Sequence, residues 1–149
     1  MGTHAQLYNA QLTQFTVPQL RELLRSIPFN SHLGLRVIRA HSDGVTIGCE
    51  VQPQFLNANG VLHGGVTATL ADVAAGISLT RHLGRPRSVT TVEMKINYLR
   101  PVTTGKVTAR CRLVQVGARL AIASVDVRDG QQRRAAVALV TYMILEAPQ

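Results

Sequence analysis

Tryptophan is missing from the 149-residue chain, and aromatic residues make up 4% of it. That leaves few rings on which nucleic-acid bases could stack. The two cysteines, Cys49 and Cys111, have no CxxC spacing, which argues against a disulfide framework or a thiolate metal site and for two buried, reduced thiols. Acidic residues are scarce as well: eight Asp and Glu stand against sixteen Lys and Arg, for a formal net charge of +8. No apolar run approaches the roughly 20 residues of a membrane span. The first residues lack a basic segment followed by an apolar one, so no secretory signal is expected and the expected address is cytoplasmic.

What is present is a chain of one-domain size, 46% hydrophobic and 16% charged, which fits a globular core rather than disorder. Residues 1–15 are expected to form a leader, a candidate for disorder, ahead of a single domain spanning 16–149. Leu20, Leu23, Leu24 and Ile27 recur at helical spacing after Pro18, predicting a short amphipathic helix. Beyond Pro28 the pattern turns extended. Leu33 to Ala40 and the alternating Val45, Ile47, Cys49 and Val51 read as two strands joined at Asp43-Gly44. A long apolar helix is expected from about Gly65 to Arg81. After it, Ser88 to Leu99, Lys106 to Val116, Leu120 to Arg128 and Arg134 to Leu145 read as a four-strand meander. A helix that is apolar all round must be buried on most of its surface. The predicted class is therefore α+β, with a long antiparallel sheet wrapped around a central apolar helix.

The apolar helix VTATLADVAAGISL carries one charge, Asp72. An unpaired carboxylate there would cost several kcal/mol to desolvate, so it is either compensated or used as a general base or nucleophile. Just upstream, Asn57 and Asn59-Gly60 turn the chain, and His63-Gly64-Gly65 leads into the helix. Free N–H groups in its first turn would stabilise a phosphate or a developing oxyanion, unless the glycines serve only close packing. Gly64 and Asp72 are eight residues apart, roughly 12 Å along a helix, too far to serve one carbonyl. Two such helices antiparallel about a twofold axis would bring them together, giving two composite sites. Phosphate-loop, dinucleotide-binding and GxSxG motifs are missing, and His4, His32, His41, His63 and His82 lack metal-ligand spacing; no metal is expected. Ser31-His32 falls in a turn-like surface stretch.

Together, N-x-x-G-x-x-H-G-G followed by L-A-D, and TTVEMKINYLRP from Thr90 to Pro101, resemble the hotdog-fold acyl-CoA thioesterases of the PaaI type, over about Pro28 to Leu145. The resemblance implies hydrolysis of acyl-CoA or aryl-acyl-CoA thioesters without a cofactor, in a homodimer or homotetramer. It implies that the Gly64 N–H polarises the thioester carbonyl, that Asn57 helps place water or thioester, and that Asp72 of the partner chain is base or nucleophile. Thr91, or its neighbour Thr90, would assist in positioning, and His63 and Gly65 would help orient substrate. Arg81, Arg85, Arg87 and Arg119 are candidate contacts for the phosphates of CoA. Dehydratase relatives need a histidine five residues after the aspartate, where this chain has Ile77. The alternative reading is a non-catalytic acyl-CoA or lipid-binding module of the same fold; nucleic acid, suggested by charge alone, is the less favoured partner.

Overall fold

The computed structural model describes residues 15–84 and 88–145. Their order is α1 (Val17–Ser26), α2 (Pro28–His32), β1 (Arg36–His41), β2 (Gly44–Glu50), a 3-10 turn (Pro53–Phe55), α3 (Gly64–Leu83), β3 (Val89–Tyr98), β4 (Lys106–Val116), β5 (Leu120–Arg128) and β6 (Arg134–Ile144). All six strands form one sheet with antiparallel neighbours in the order β1-β2-β4-β5-β6-β3.

Alternation along the strands sends Val45, Ile47 and Cys49 of β2, Val107, Ala109 and Cys111 of β4, and Ala121, Ala123 and Val125 of β5 into the core. There they meet Leu70, Ala71, Ala74, Ala75, Ile77 and Leu79 of α3. Small residues on both sides let the helix lie close to the sheet. Ser78 is the polar tie within this layer: its hydroxyl donates to the Ala74 carbonyl (2.7 Å) and accepts from the Val45 N–H (3.0 Å). Helix α3 ends where Gly84 adopts a left-handed φ of 66°, a conformation that favours glycine. Both cysteines are buried and free.

Helix α1 starts on a capping box between Thr16 and Gln19 and buries Leu20 and Leu24. Arg21 Nε reaches the Val37 carbonyl of β1 at 3.4 Å. Two expectations need correction. The stretch after Pro28 is not wholly extended: Ile27 leaves the helical region (φ −90°, ψ 113°) and Pro28, at the first position of a new helix, restarts it as α2. Five residues are too few to show a period. The last four strands are also not one meander. β4, β5 and β6 follow one another, but among the described residues β3 pairs only with β6 at the far edge, and β4 pairs with β2. The cause is α3, which crosses the sheet and delivers β3 to the edge; the segment after β3 then returns past Ala135 and Leu62, through the bonds Leu99 N–H to Ala135 and Leu62 N–H to Val102.

Candidate active site

Helix α3 begins at Gly64, with His63 as its N-cap. The His63 Nδ1 accepts from the Gly65 N–H at 2.9 Å, so the ring closes one of the free donors of the first turn. His63 and Gly65 are both exposed. The Gly64 N–H donates to no acceptor among the described residues. Its carbonyl accepts from the Tyr98 hydroxyl at 2.8 Å, which lays the tyrosine ring over the start of the helix. A Cβ at Gly64 would sit 3.2 Å from Tyr98 Cζ. The absence of a side chain thus leaves room for this contact and an open donor beside it.

Asn57 shapes the loop in front of this helix. Its Oδ1 accepts from the Asn59 N–H (2.9 Å) and the Val61 N–H (3.3 Å), an Asx turn that leaves the amide nitrogen for other partners. Asn57, Gly64, Tyr98 and Arg100 line one cavity of about 410 Å³. The positive charge at this cavity therefore comes from Arg100, a residue the sequence reading did not choose. Arg81 sits at the opposite end of α3 and donates to the His41 carbonyl at 2.6 Å. Seventeen residues separate it from Gly64, roughly 25 Å along the helix. Arg119 is exposed in the β4–β5 turn, and Arg85 and Arg87 lie outside the described residues, as do residues 1–14 of the expected leader.

Asp72 is half-buried and compensated by two hydroxyls. Thr91 Oγ1 donates to its Oδ1 at 2.8 Å, and the Tyr142 hydroxyl lies 2.8 Å from the same oxygen and 2.9 Å from the Asp72 carbonyl. The choice between Thr90 and Thr91 falls on Thr91. Thr91 and Tyr142 face each other in the β3–β6 ladder, immediately before a bulge at Val92 that shifts the register. Burial, and then the nearby Asp72 charge, push the Tyr142 phenol well above the ordinary tyrosine range, so it stays protonated and has a hydrogen to give to the carboxylate. Gly76 makes room for that ring, since a Cβ there would lie 2.9 Å from the hydroxyl. With Oδ1 taken by both donors, Oδ2 has no partner among the described residues.

Tyr142 was missed because it stands seventy residues from Asp72. A signal existed: β6 points Val140, Tyr142 and Ile144 into the core, and a tyrosine among aliphatics needs a partner for its hydroxyl. Thr91 and Tyr142 line a second groove, of about 390 Å³, distinct from the one that holds Gly64 and Asn57. The chain thus carries two separate groups, an open N–H with an amide in one groove and a carboxylate with a free oxygen beside the other. No group of three or more His, Cys, Asp or Glu among the described residues could hold a metal ion, and no helix there is long and apolar enough to cross a membrane.

Residues 59–136 match the model of the thioesterase superfamily. The medium/long-chain acyl-CoA thioesterase YigI of Escherichia coli is 32% identical over 133 residues, covering 79% of this chain and 86% of the relative. Among solved structures, the thioesterase HI1161 of Haemophilus influenzae superposes with a TM-score of 0.84 at 28% identity, covering 91% of this chain and 94% of that one. A mutant of the phenylacetic acid degradation protein PaaI of Thermus thermophilus gives 0.72 at 27% identity, covering 80% and 100%.

Proposed function

This chain belongs to the thioesterase superfamily and is a thioester hydrolase of hotdog fold; from that premise we propose that it cleaves acyl-CoA thioesters to free acid and CoA, at a site composed from two copies of the chain. One observation carries the reading. Strand β3 holds both half-sites, with Thr91 bonded to Asp72 near one end and Tyr98 bonded to Gly64 at the other, and its outer edge pairs with nothing among the described residues. Antiparallel addition of a second β3, centred between Met94 and Lys95, would set Thr91 opposite the partner's Tyr98. Asp72 would then lie beside the partner's Gly64, and the twofold would repeat the arrangement.

In that site the thioester oxygen takes the Gly64 N–H, reinforced by the positive end of α3, as negative charge develops on it. The Asn57 amide nitrogen positions water or the thioester. Asp72 of the other chain acts through Oδ2, as general base toward that water or as nucleophile toward the carbonyl. Thr91 and Tyr142 hold its Oδ1. Arg100 meets the phosphates of CoA. Buried reduced thiols suit a cytoplasmic address, and residues 16–149 act as one domain that assembles to dimer or tetramer.

The test is complementation between two dead variants. Asp72→Ala alone is expected to lose thiol release from acyl-CoA, and so is a variant whose Gly64 N–H is removed. Co-expressed, they should recover about a quarter of parental activity, because half the dimers are mixed and each mixed dimer concentrates both lesions in one of its two sites. No recovery from a mixture shown by mass to contain mixed dimers would refute the composite site. An active, strictly monomeric parent would refute it too.

A further inference from the structure

The groove beside Asp72 is walled by Leu23 of α1, by Ile27 just beyond it and by Ile77 of α3, with the hydroxyls of Thr80 and Thr90 also in its lining, and it ends on Thr91 and Tyr142. Against these apolar walls stands Asn30 of α2, which also lines the groove and is 4% exposed. Its backbone is engaged, since the Asn30 carbonyl accepts from the Leu35 N–H at 3.0 Å. Its side-chain amide, however, bonds to no described residue. The amide is not sealed into the core either: among the described residues the fully enclosed side-chain atom that lacks a partner is Arg81 Nε. The unpartnered amide therefore keeps a trace of exposure, on a residue that lines the groove. A buried amide left unpaired is costly, and leucine would fill the same space without that cost.

We propose that Asn30 determines specificity by hydrogen-bonding an oxygen substituent carried on the acyl group, so that the groove takes acyl chains bearing a hydroxyl or oxo group in preference to saturated ones. The proposal rests on the thioester-hydrolase reading and adds the class of acyl group. An amide offers both a donor and an acceptor, and so pairs with a hydroxyl or an oxo oxygen equally well. An all-methylene chain in the groove would cover the amide and leave it unsatisfied. A site built to pair with a substrate hydroxyl rejects the analogue that lacks it more strongly than an apolar pocket rejects a missing methylene.

The experiment compares octanoyl-CoA with 2-, 3- and 8-hydroxyoctanoyl-CoA in the parent, Asn30→Leu and Asn30→Ala, reading kcat/KM by thiol release. For the best-placed hydroxyl the parent should favour the hydroxylated chain about 5- to 100-fold. In both variants the ratio should collapse to within about twofold of unity, as the removed amide leaves nothing to satisfy. A merely structural Asn30 would lower all four substrates together and leave the ratio intact. The same ratio is read as Kd on folded Asp72→Ala, where chemistry is expected to stop, so the acyl preference is measured even if the parent hydrolyses none of the four. Absence of hydrolysis overturns the functional reading. A parental ratio near one in both kcat/KM and Kd, or a parental ratio retained in both Asn30 variants, overturns the role of Asn30.

Discussion

Gly64→Pro isolates the open N–H at the start of α3. Gly64 is the first residue of the helix, where proline is well tolerated because its missing hydrogen has no intrahelical acceptor. His63 already has φ −58° and ψ 133°, in the extended region that a residue before proline prefers. A new Cβ would meet Tyr98, whose Cζ would lie 3.2 Å away. That ring is 54% exposed and has space to yield a few tenths of an ångström. Gly64→Ala adds the same Cβ and keeps the N–H, so the comparison of the two variants isolates the hydrogen. Loss of one donor to a developing oxyanion costs about 100- to 1,000-fold in kcat. Alanine is therefore expected to stay within about tenfold of the parent and proline to fall at least about a hundredfold further, with Tm close to the parent's in both. The assay is thiol release from acyl-CoA under saturating substrate, beside a thermal melt. If folded Gly64→Pro and Gly64→Ala are indistinguishable in kcat, the N–H is not the donor and the reasoning fails.

Thr91→Val and Tyr142→Phe each remove one hydroxyl from Asp72 Oδ1 and preserve shape; a hydrogen bond to a charged group is worth about 1.5–3 kcal/mol, so kcat should fall roughly 10- to 150-fold in each, and steady-state kinetics within twofold of the parent would contradict the assignment. Burial pushes the Cys49 and Cys111 thiols up to about 11, so the native protein at pH 8 should resist iodoacetamide, whereas stoichiometric labelling seen by mass spectrometry would contradict the packing. The folded chain keeps protons that unfolded thiols, starting from 9.0, give up earlier; these two groups should therefore lower stability as pH rises from about 9 to about 11, read as a falling denaturation midpoint.

The elements whose periodicity is local were legible in the sequence. β5 alternates inward and outward along its whole length and β4 does so up to a bulge near Val114, and both run between the residues that the pattern predicts. The long helix was legible from its apolar run, and it exceeds the expected span by Gly64 at its start and by His82 and Leu83 at its end. Strand order was not, because the neighbour of β3 depends on where the crossover through α3 delivers it, and no residue of β3 records that. The site divided in the same way. Asp72 stood out as a lone charge and Gly64 as a bare helix start, but Tyr142 and Arg100 reach them only through the folded sheet. Of the arginines chosen from loops and element ends, Arg81 and Arg119 do not line the Gly64 cavity of their own chain, since basic charge in a sequence carries no direction.

The helix itself gives the strongest reason to seek the other half of the site on a second chain. Apolar residues on every side predicted burial over most of its surface, and the part left only half-buried holds Val66, Thr69, Val73, Gly76 and Thr80. Their spacing of three, four, three and four residues draws one stripe along α3, and the stripe is small and uncharged. Surface helices of this length ordinarily put charge on such a face. A face of small residues at this spacing suits the close approach of another helix. Asp72 lies along its margin, the one carboxylate in the run, with Oδ2 unpartnered beside it. An antiparallel second α3 placed so that Asp72 meets the partner's helix start would overlap this helix over residues 64–72 and cover Val66 and Thr69, leaving Val73 and Thr80 to line the groove beside Asp72. The same contact would thus pack the first half of the stripe and complete the chemistry of Asp72.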